Sequence, residues 1–87
     1  MQRRENRNDL WIKNVTALPN FKLCVQFGEG VIKLYDIKPL FERIPAFQCL
    51  RDNPAEFGRV SVDIGGRGIV WNETIDLSCD ELWEEGI

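Results

Sequence analysis

Phe21-Lys22-Leu23-Cys24-Val25-Gln26-Phe27-Gly28-Glu29-Gly30-Val31-Ile32-Lys33-Leu34-Tyr35-Asp36 is the stretch on which the fold of this chain turns. Phe21, Leu23, Val25 and Phe27 alternate with Lys22, Cys24 and Gln26. A period of two puts one set of side chains on each face of a half-buried strand. Gly28-Glu29-Gly30 supplies residues suited to a tight turn, and Val31 to Tyr35 is β-prone and returns antiparallel. Upstream, Trp11 to Leu18 reads as a first strand, stopped by the turn-forming pair Pro19-Asn20, so the three strands form a meander. At Asp36 the period changes. Asp36 is placed to cap a short helix whose first turn admits Pro39; Leu40, Phe41 and Ile44 form its apolar face, and Pro45 stops it.

The pattern then recurs. Leu23 to Ile44 and Val60 to Trp83 share one order: strand, glycine turn, strand, acidic residue, helix. In the second unit Val60, Val62 and Ile64 alternate with Ser61 and Asp63, Gly65-Gly66-Arg67-Gly68 makes the turn, and Ile69-Val70-Trp71 returns. Asn72-Glu73 bends the chain, and Ile75-Asp76-Leu77 is briefly extended. Ser78 followed three residues later by Glu81 is a capping box, which predicts a helix from Cys79 to Glu85 ended by Gly86. Between the units, Phe47, Leu50 and Phe57 are too many apolar residues for a free loop, and Pro54 to Phe57 suggests one helical turn. The expected architecture is α+β: antiparallel sheet from two β-hairpin units, each followed by a short helix, with the helices packed on one side. Residues 1–9 are polar and aperiodic, as in a disordered or frayed tail, and residues 10–87 form a single domain.

Composition narrows the function. The chain has 87 residues and a net charge of −3, divided unevenly. Residues 1–13 carry Arg3, Arg4, Arg7 and Lys13 against Glu5 and Asp9, whereas residues 73–87 carry six carboxylates and no Lys or Arg. Such an acidic end repels phosphate, and the basic residues of the middle are interleaved with acids instead of clustered, which argues against nucleic-acid binding by the domain. There is no His, and the three cysteines (Cys24, Cys49 and Cys79) are not paired as C-x-x-C, so no zinc site, redox motif or disulfide framework is expected. With no signal-peptide h-region and no apolar run long enough to span a bilayer, the expected location is the cytoplasm.

Each candidate for chemistry has a simpler structural role. Gly65 to Gly68 leads into a strand, not into the helix that a phosphate loop requires. Asp63 and Asp76 would need a shared cleft to act as acid and base. Ser78 and Cys79 lack a His to activate them. Trp11, Trp71 and Trp83 suit core packing better than an exposed patch. No catalytic, metal or cofactor-binding residue is assigned, and the surface singled out for a partner is Asp80, Glu81, Glu84 and Glu85.

Three segments, in order, resemble the domain-of-unknown-function family 2442, a set of small bacterial proteins. They are Leu23-Cys24-Val25-Gln26-Phe27-Gly28-Glu29-Gly30, Tyr35-Asp36-Ile37-Lys38-Pro39-Leu40, and Gly68-Ile69-Val70-Trp71-Asn72-Glu73-Thr74-Ile75-Asp76-Leu77. Glu73-Thr74 departs from the family's glycine turn, and Trp83 stands where Tyr is common. The resemblance implies a compact α+β domain. For function it implies little: some members resemble an antitoxin-like partner of a small neighbouring protein, and some longer ones carry a helix-turn-helix domain after this one, an extension not expected in a chain ending at Ile87. The expected role is therefore a non-enzymatic interaction or regulatory domain with a small, basic protein partner, with self-association also open. The alternatives are a nucleic-acid binder using the basic N-terminal tail, and a small enzyme using carboxylates.

Overall fold

A computed structural model describes residues 10–87; the expected N-terminal tail lies outside the described residues. The class is α+β. Strands β1 (Ile12–Leu18), β2 (Lys22–Phe27) and β3 (Ile32–Asp36) form one antiparallel sheet in the order β1-β2-β3. The alternation of β2 holds: Leu23, Val25 and Phe27 are buried, and Lys22, Cys24 and Gln26 lie on the opposite face. β1 reaches the same register by a bulge. Ile12 pairs with Phe27 and Asn14 with Gln26, so Lys13 is an extra residue. That residue resets the phase, which lets Ile12 join Val15 and Ala17 on the inner face although three positions separate Ile12 from Val15.

Phe21, expected within β2, belongs instead to the preceding turn. Asn20 and Phe21 both have positive φ, 66° and 58°, a conformation common for Asn and unfavourable for Phe. The strain at Phe21 is offset by what its ring reaches. It stands edge-on to Phe41 and Phe57, each 5.3 Å away, and its carbonyl accepts the Ile37 N–H.

Prolines punctuate the helical segment. Helix α1 (Lys38–Arg43) ends before Ile44, which is extended (φ −130°) as a residue before proline tends to be. This corrects the expectation for Ile44: it leaves the helical path, drops out of the buried face of α1 and is exposed. Asp36 serves α1 from one residue outside the cap position, its carboxylate accepting the Lys38 N–H at 3.0 Å. The connection holds more helix than its sequence suggests: a 3-10 turn (Pro45–Phe47), α2 (Gln48–Asp52) and α3 (Pro54–Phe57). Phe47, Leu50 and Phe57 are all buried, and their burial is what folds this segment onto the core.

A second antiparallel sheet contains β4 (Ser61–Val62), β5 (Gly68–Val70) and β6 (Asp76–Ser78) in that order. β4 is shorter than the alternation suggests. The Asp63 carboxylate accepts the Ile64 N–H at 2.7 Å and starts a 3-10 turn over Ile64–Gly66, which leaves Ile64 90% exposed. Asn72 makes the expected bend, accepting the Thr74 and Ile75 N–H groups. Helix α4 (Cys79–Glu85) has the predicted bounds, and the Ser78 hydroxyl accepts the Glu81 N–H at 3.1 Å. Asp76 thus sits in a strand that the first unit lacks, and the two units agree as hairpins more closely than as wholes.

Both sheets, α1 and α4 enclose one core that includes Leu23, Val25, Ile37, Ile69, Leu77 and Leu82. β1 lies beside β4, and α4 rests on β3, β5 and β6. Trp71 is buried and its indole N–H donates to the Phe57 carbonyl at 2.9 Å. Trp83 is half-buried, edge-on to Phe27 at 5.0 Å. Trp11 departs from the expected core role: it is 44% exposed and lies across the Gly28 backbone.

Two glycines separate conformation from space. Gly30 has φ +100° with nothing within 4 Å of where a Cβ would stand, whereas at Gly68 a Cβ would fall 2.3 Å from the Leu77 carbonyl oxygen across the sheet. Gly30→Ala should cost about 1–2 kcal/mol through backbone strain alone. Gly68→Ala should cost more than Gly30→Ala, since backbone must shift to admit it. Urea unfolding of both variants checks the order; an equal or reversed cost contradicts this account of the β5–β6 contact.

Candidate interaction surface

α4 separates its residues by face. Cys79 and Leu82 turn inward, while Asp80, Glu84 and Glu85 are exposed and Glu81 is half-buried. Spacing of four residues aligns Asp80 with Glu84 and Glu81 with Glu85, so the singled-out carboxylates form two adjacent rows on one short helix. Asp80 and Glu81 suit the positive N-terminal end of the helix; Glu84 and Glu85, at the other end, do not.

Two residues of β3 hold this helix. The Tyr35 hydroxyl donates to the Glu81 carboxylate at 2.7 Å. Lys33 donates to the Trp83 carbonyl and stands 4.4 Å from the Trp83 ring centroid, bringing positive charge to the end of α4 that has no basic residue. No local sequence pattern announces either contact, because 46 residues separate Tyr35 from Glu81 and 50 separate Lys33 from Trp83.

The beginning of α4 is flanked by two depressions. A cleft of about 570 Å3 is lined by Leu10, Trp11, Gly65, Arg67, Ser78, Cys79 and Asp80. A shallower groove of about 420 Å3 lies between α1 and α4, lined by Leu40, Arg43, Ile44, Asp76, Leu77 and Glu81, again with Ser78. Each combines carboxylate and guanidinium groups in an open setting.

The other candidates have structural positions. Asp63 caps the 3-10 turn, while Asp76 lines the groove beside α4. Ser78 caps α4. Burial, reinforced by Asp80, raises the pKa of the Cys79 thiol and so opposes formation of a nucleophilic thiolate. All three cysteines are free thiols. Among the described residues no three His, Cys, Asp or Glu side chains are grouped to hold a metal ion, and no helix is long and apolar enough to cross a membrane.

These features define a small α+β domain with a charged helical surface pinned to a sheet. The chain belongs to the family described as "Protein of unknown function (DUF2442)", whose profile matches residues 12–87. No functionally curated protein matches it. In fold it is similar to NE0471 of Nitrosomonas europaea ATCC 19718, whose crystal structure is described as that of a "Putative DNA Binding Protein". The TM-score is 0.74 and the identity 21%; the match covers 87% of this chain and 48% of that one, so this chain spans about half of the length of NE0471.

The Tyr35–Glu81 contact has a pH signature. Burial, then the hydrogen bond and charge of Glu81, push the Tyr35 phenol well above its ordinary pKa of 10.0. A phenol kept protonated by folding stabilises the native state fully below pH 10, and this contribution is lost as pH rises beyond it. Tyr35 is the chain's single tyrosine, so tyrosinate absorbance reads it directly. It should appear only well above the titration of the unfolded chain, and Tyr35→Phe should remove about 1.5–3 kcal/mol at neutral pH while flattening the alkaline loss. An ordinary tyrosine titration in the folded protein contradicts the assignment.

Proposed function

We propose that this domain is a non-enzymatic protein-interaction module of the bacterial cytoplasm, regulatory and antitoxin-like in that it binds and restrains a small basic partner. The observation that carries the proposal is the acidic surface of α4, held by Tyr35 and Lys33 from β3. A surface fixed before encounter loses less side-chain freedom on binding, and concentrated negative charge steers a positively charged protein toward it. A nucleic-acid-processing protein, basic because its substrate is phosphate, has the charge this surface selects.

The second reading is nucleic-acid binding through Arg3, Arg4 and Arg7 of the N-terminal segment. The description of NE0471 favours it, although the likeness to this chain extends over 48% of that protein. The acidic end of the domain argues against it, since it repels phosphate.

Co-purification with the product of the adjacent gene is the first test, and a complex at micromolar concentration and physiological salt is expected. Raising the salt should weaken it. Glu84→Lys with Glu85→Lys should lower the affinity about ten- to a hundredfold. These substitutions add positive charge at the C-terminal end of α4, where the helix dipole favours it, so unfolding is not the expected cause of the loss. Absence of a complex, or affinity indifferent to this reversal, refutes the proposal. Salt-dependent DNA or RNA binding that vanishes on deleting residues 1–9 would establish the second reading instead.

A further inference from the structure

Three parts of the chain meet where it enters the domain. Leu10 and Trp11, the turn through Gly65 and Arg67, and the start of α4 line one cleft. Its walls are fixed to one another. A Cβ at Gly66 would fall 2.7 Å from the Ile12 carbonyl oxygen and 3.1 Å from the Trp11 Cβ, so the turn presses on the entering strand. The Arg67 carbonyl accepts the Cys79 N–H at 2.9 Å, which fastens the start of α4 to the same turn. The cleft therefore holds one guanidinium, Arg67, and one carboxylate, Asp80, with the exposed ring of Trp11 beside them. Residues 1–9, outside the described residues, join the domain at Leu10, which is itself part of the cleft lining. Going outward from Leu10, the first two charges of that segment are Asp9 and Arg7, the complement of Arg67 and Asp80.

We propose that this cleft is the docking site of the chain's own residues 1–9, with Asp9 set against Arg67, Arg7 against Asp80, and Arg3 and Arg4 carried along α4 toward Glu84. Length permits it. Nine residues reach at most about 30 Å, whereas the seven residues of α4 span about 10 Å. Charge selects this occupant. α4 bears four carboxylates and no basic residue, and the segment carries three arginines against two carboxylates. Exposed ion pairs are individually weak, but a tethered segment meets its site at an effective concentration in the millimolar range. Trp11 adds an apolar wall for the aliphatic stem of an arginine. The docked segment covers Asp80 and Glu84, so it competes there with the basic partner of the proposed function. That consequence rests on the proposed function; the docking does not. The N-terminal arginines then set how basic a partner must be to displace them.

Backbone NMR relaxation of the full chain tests the docking. In dilute buffer residues 1–9 should relax with the folded domain, and they should be released as salt approaches about 1 M, where the screening length falls to about 3 Å. Arg7→Asp with Asp9→Arg exchanges the two charges without changing the net charge and lies outside the packed domain. It should release the segment and shift the amides of Arg67 and Asp80 and the Trp11 indole N–H. Asp80→Asn should release the segment too, and adding the exchange to it should have no further effect. For the competition the probe is a hexalysine peptide, which should bind the exchanged chain about three- to tenfold more tightly than the native one. Free-chain relaxation of residues 1–9 in the native protein, or cleft signals unmoved by the exchange, overturns the docking; equal hexalysine affinity overturns the competition. Loss of the partner complex in native and exchanged chains alike refutes the proposed function alone, because relaxation reads the docking with no partner present.

Discussion

The burial of Leu82 is the constraint on which the two halves of this fold depend. It projects from a helix that rests on β3 of one sheet and on β5 and β6 of the other, and it is fully buried. Burying a leucine side chain contributes about 1.5–3 kcal/mol, a large share of the stability of so small a domain. Its effect on arrangement is greater than that number suggests. Once Leu82 is seated, Tyr35 reaches Glu81, Lys33 reaches the last turn of α4, and Gly86 brings Ile87 alongside Leu34. The acidic surface and the pairing of Ile87 with Leu34 at the sheet edge are both consequences of where this helix docks.

What was legible in the sequence followed local physics. The bounds of α4 came from a capping box and a terminal glycine, and the buried face of β2 from strict alternation; neither needs knowledge of distant residues. Ile64 shows where such reasoning stops. Its place in an alternating run argued for a strand, but the Asp63 carboxylate supplies its N–H with a partner one residue away and so competes with the ladder. Phe21 failed for a different reason, because its positive φ is held by rings from α1 and α3 that only the tertiary fold brings near. α2 has few local signals and forms because Phe47 and Leu50 are drawn into the core. The acidic rows of the candidate surface were legible as composition. The side chains that position them were not, since they lie on a strand about fifty residues earlier.

The domain thus has two surfaces of different make-up. One, on α4, is acidic and held by polar contacts from β3; the other, the outer face of the β1-β2-β3 sheet, is mixed, with Ile32 and Leu34 exposed beside Thr16, Lys22, Gln26 and Asp36. Charged surfaces gain specificity from repulsion as well as attraction.

The bulge at Lys13 has a bearing on how this chain can vary. It fixes a count of residues, not a chemistry: the side chain of Lys13 is exposed and carries no packing, yet its place in the chain keeps Ile12 on the inner face while Val15 and Ala17 remain there. The geometry constrains the number of residues here and not the side chain. An alignment of the family should therefore show β1 without gaps between Ile12 and Val15, with varied residues at the bulge and insertions displaced into the exposed turns. The most constrained feature of the strand would then appear in the spacing of the alignment, at a column whose letters show no constraint.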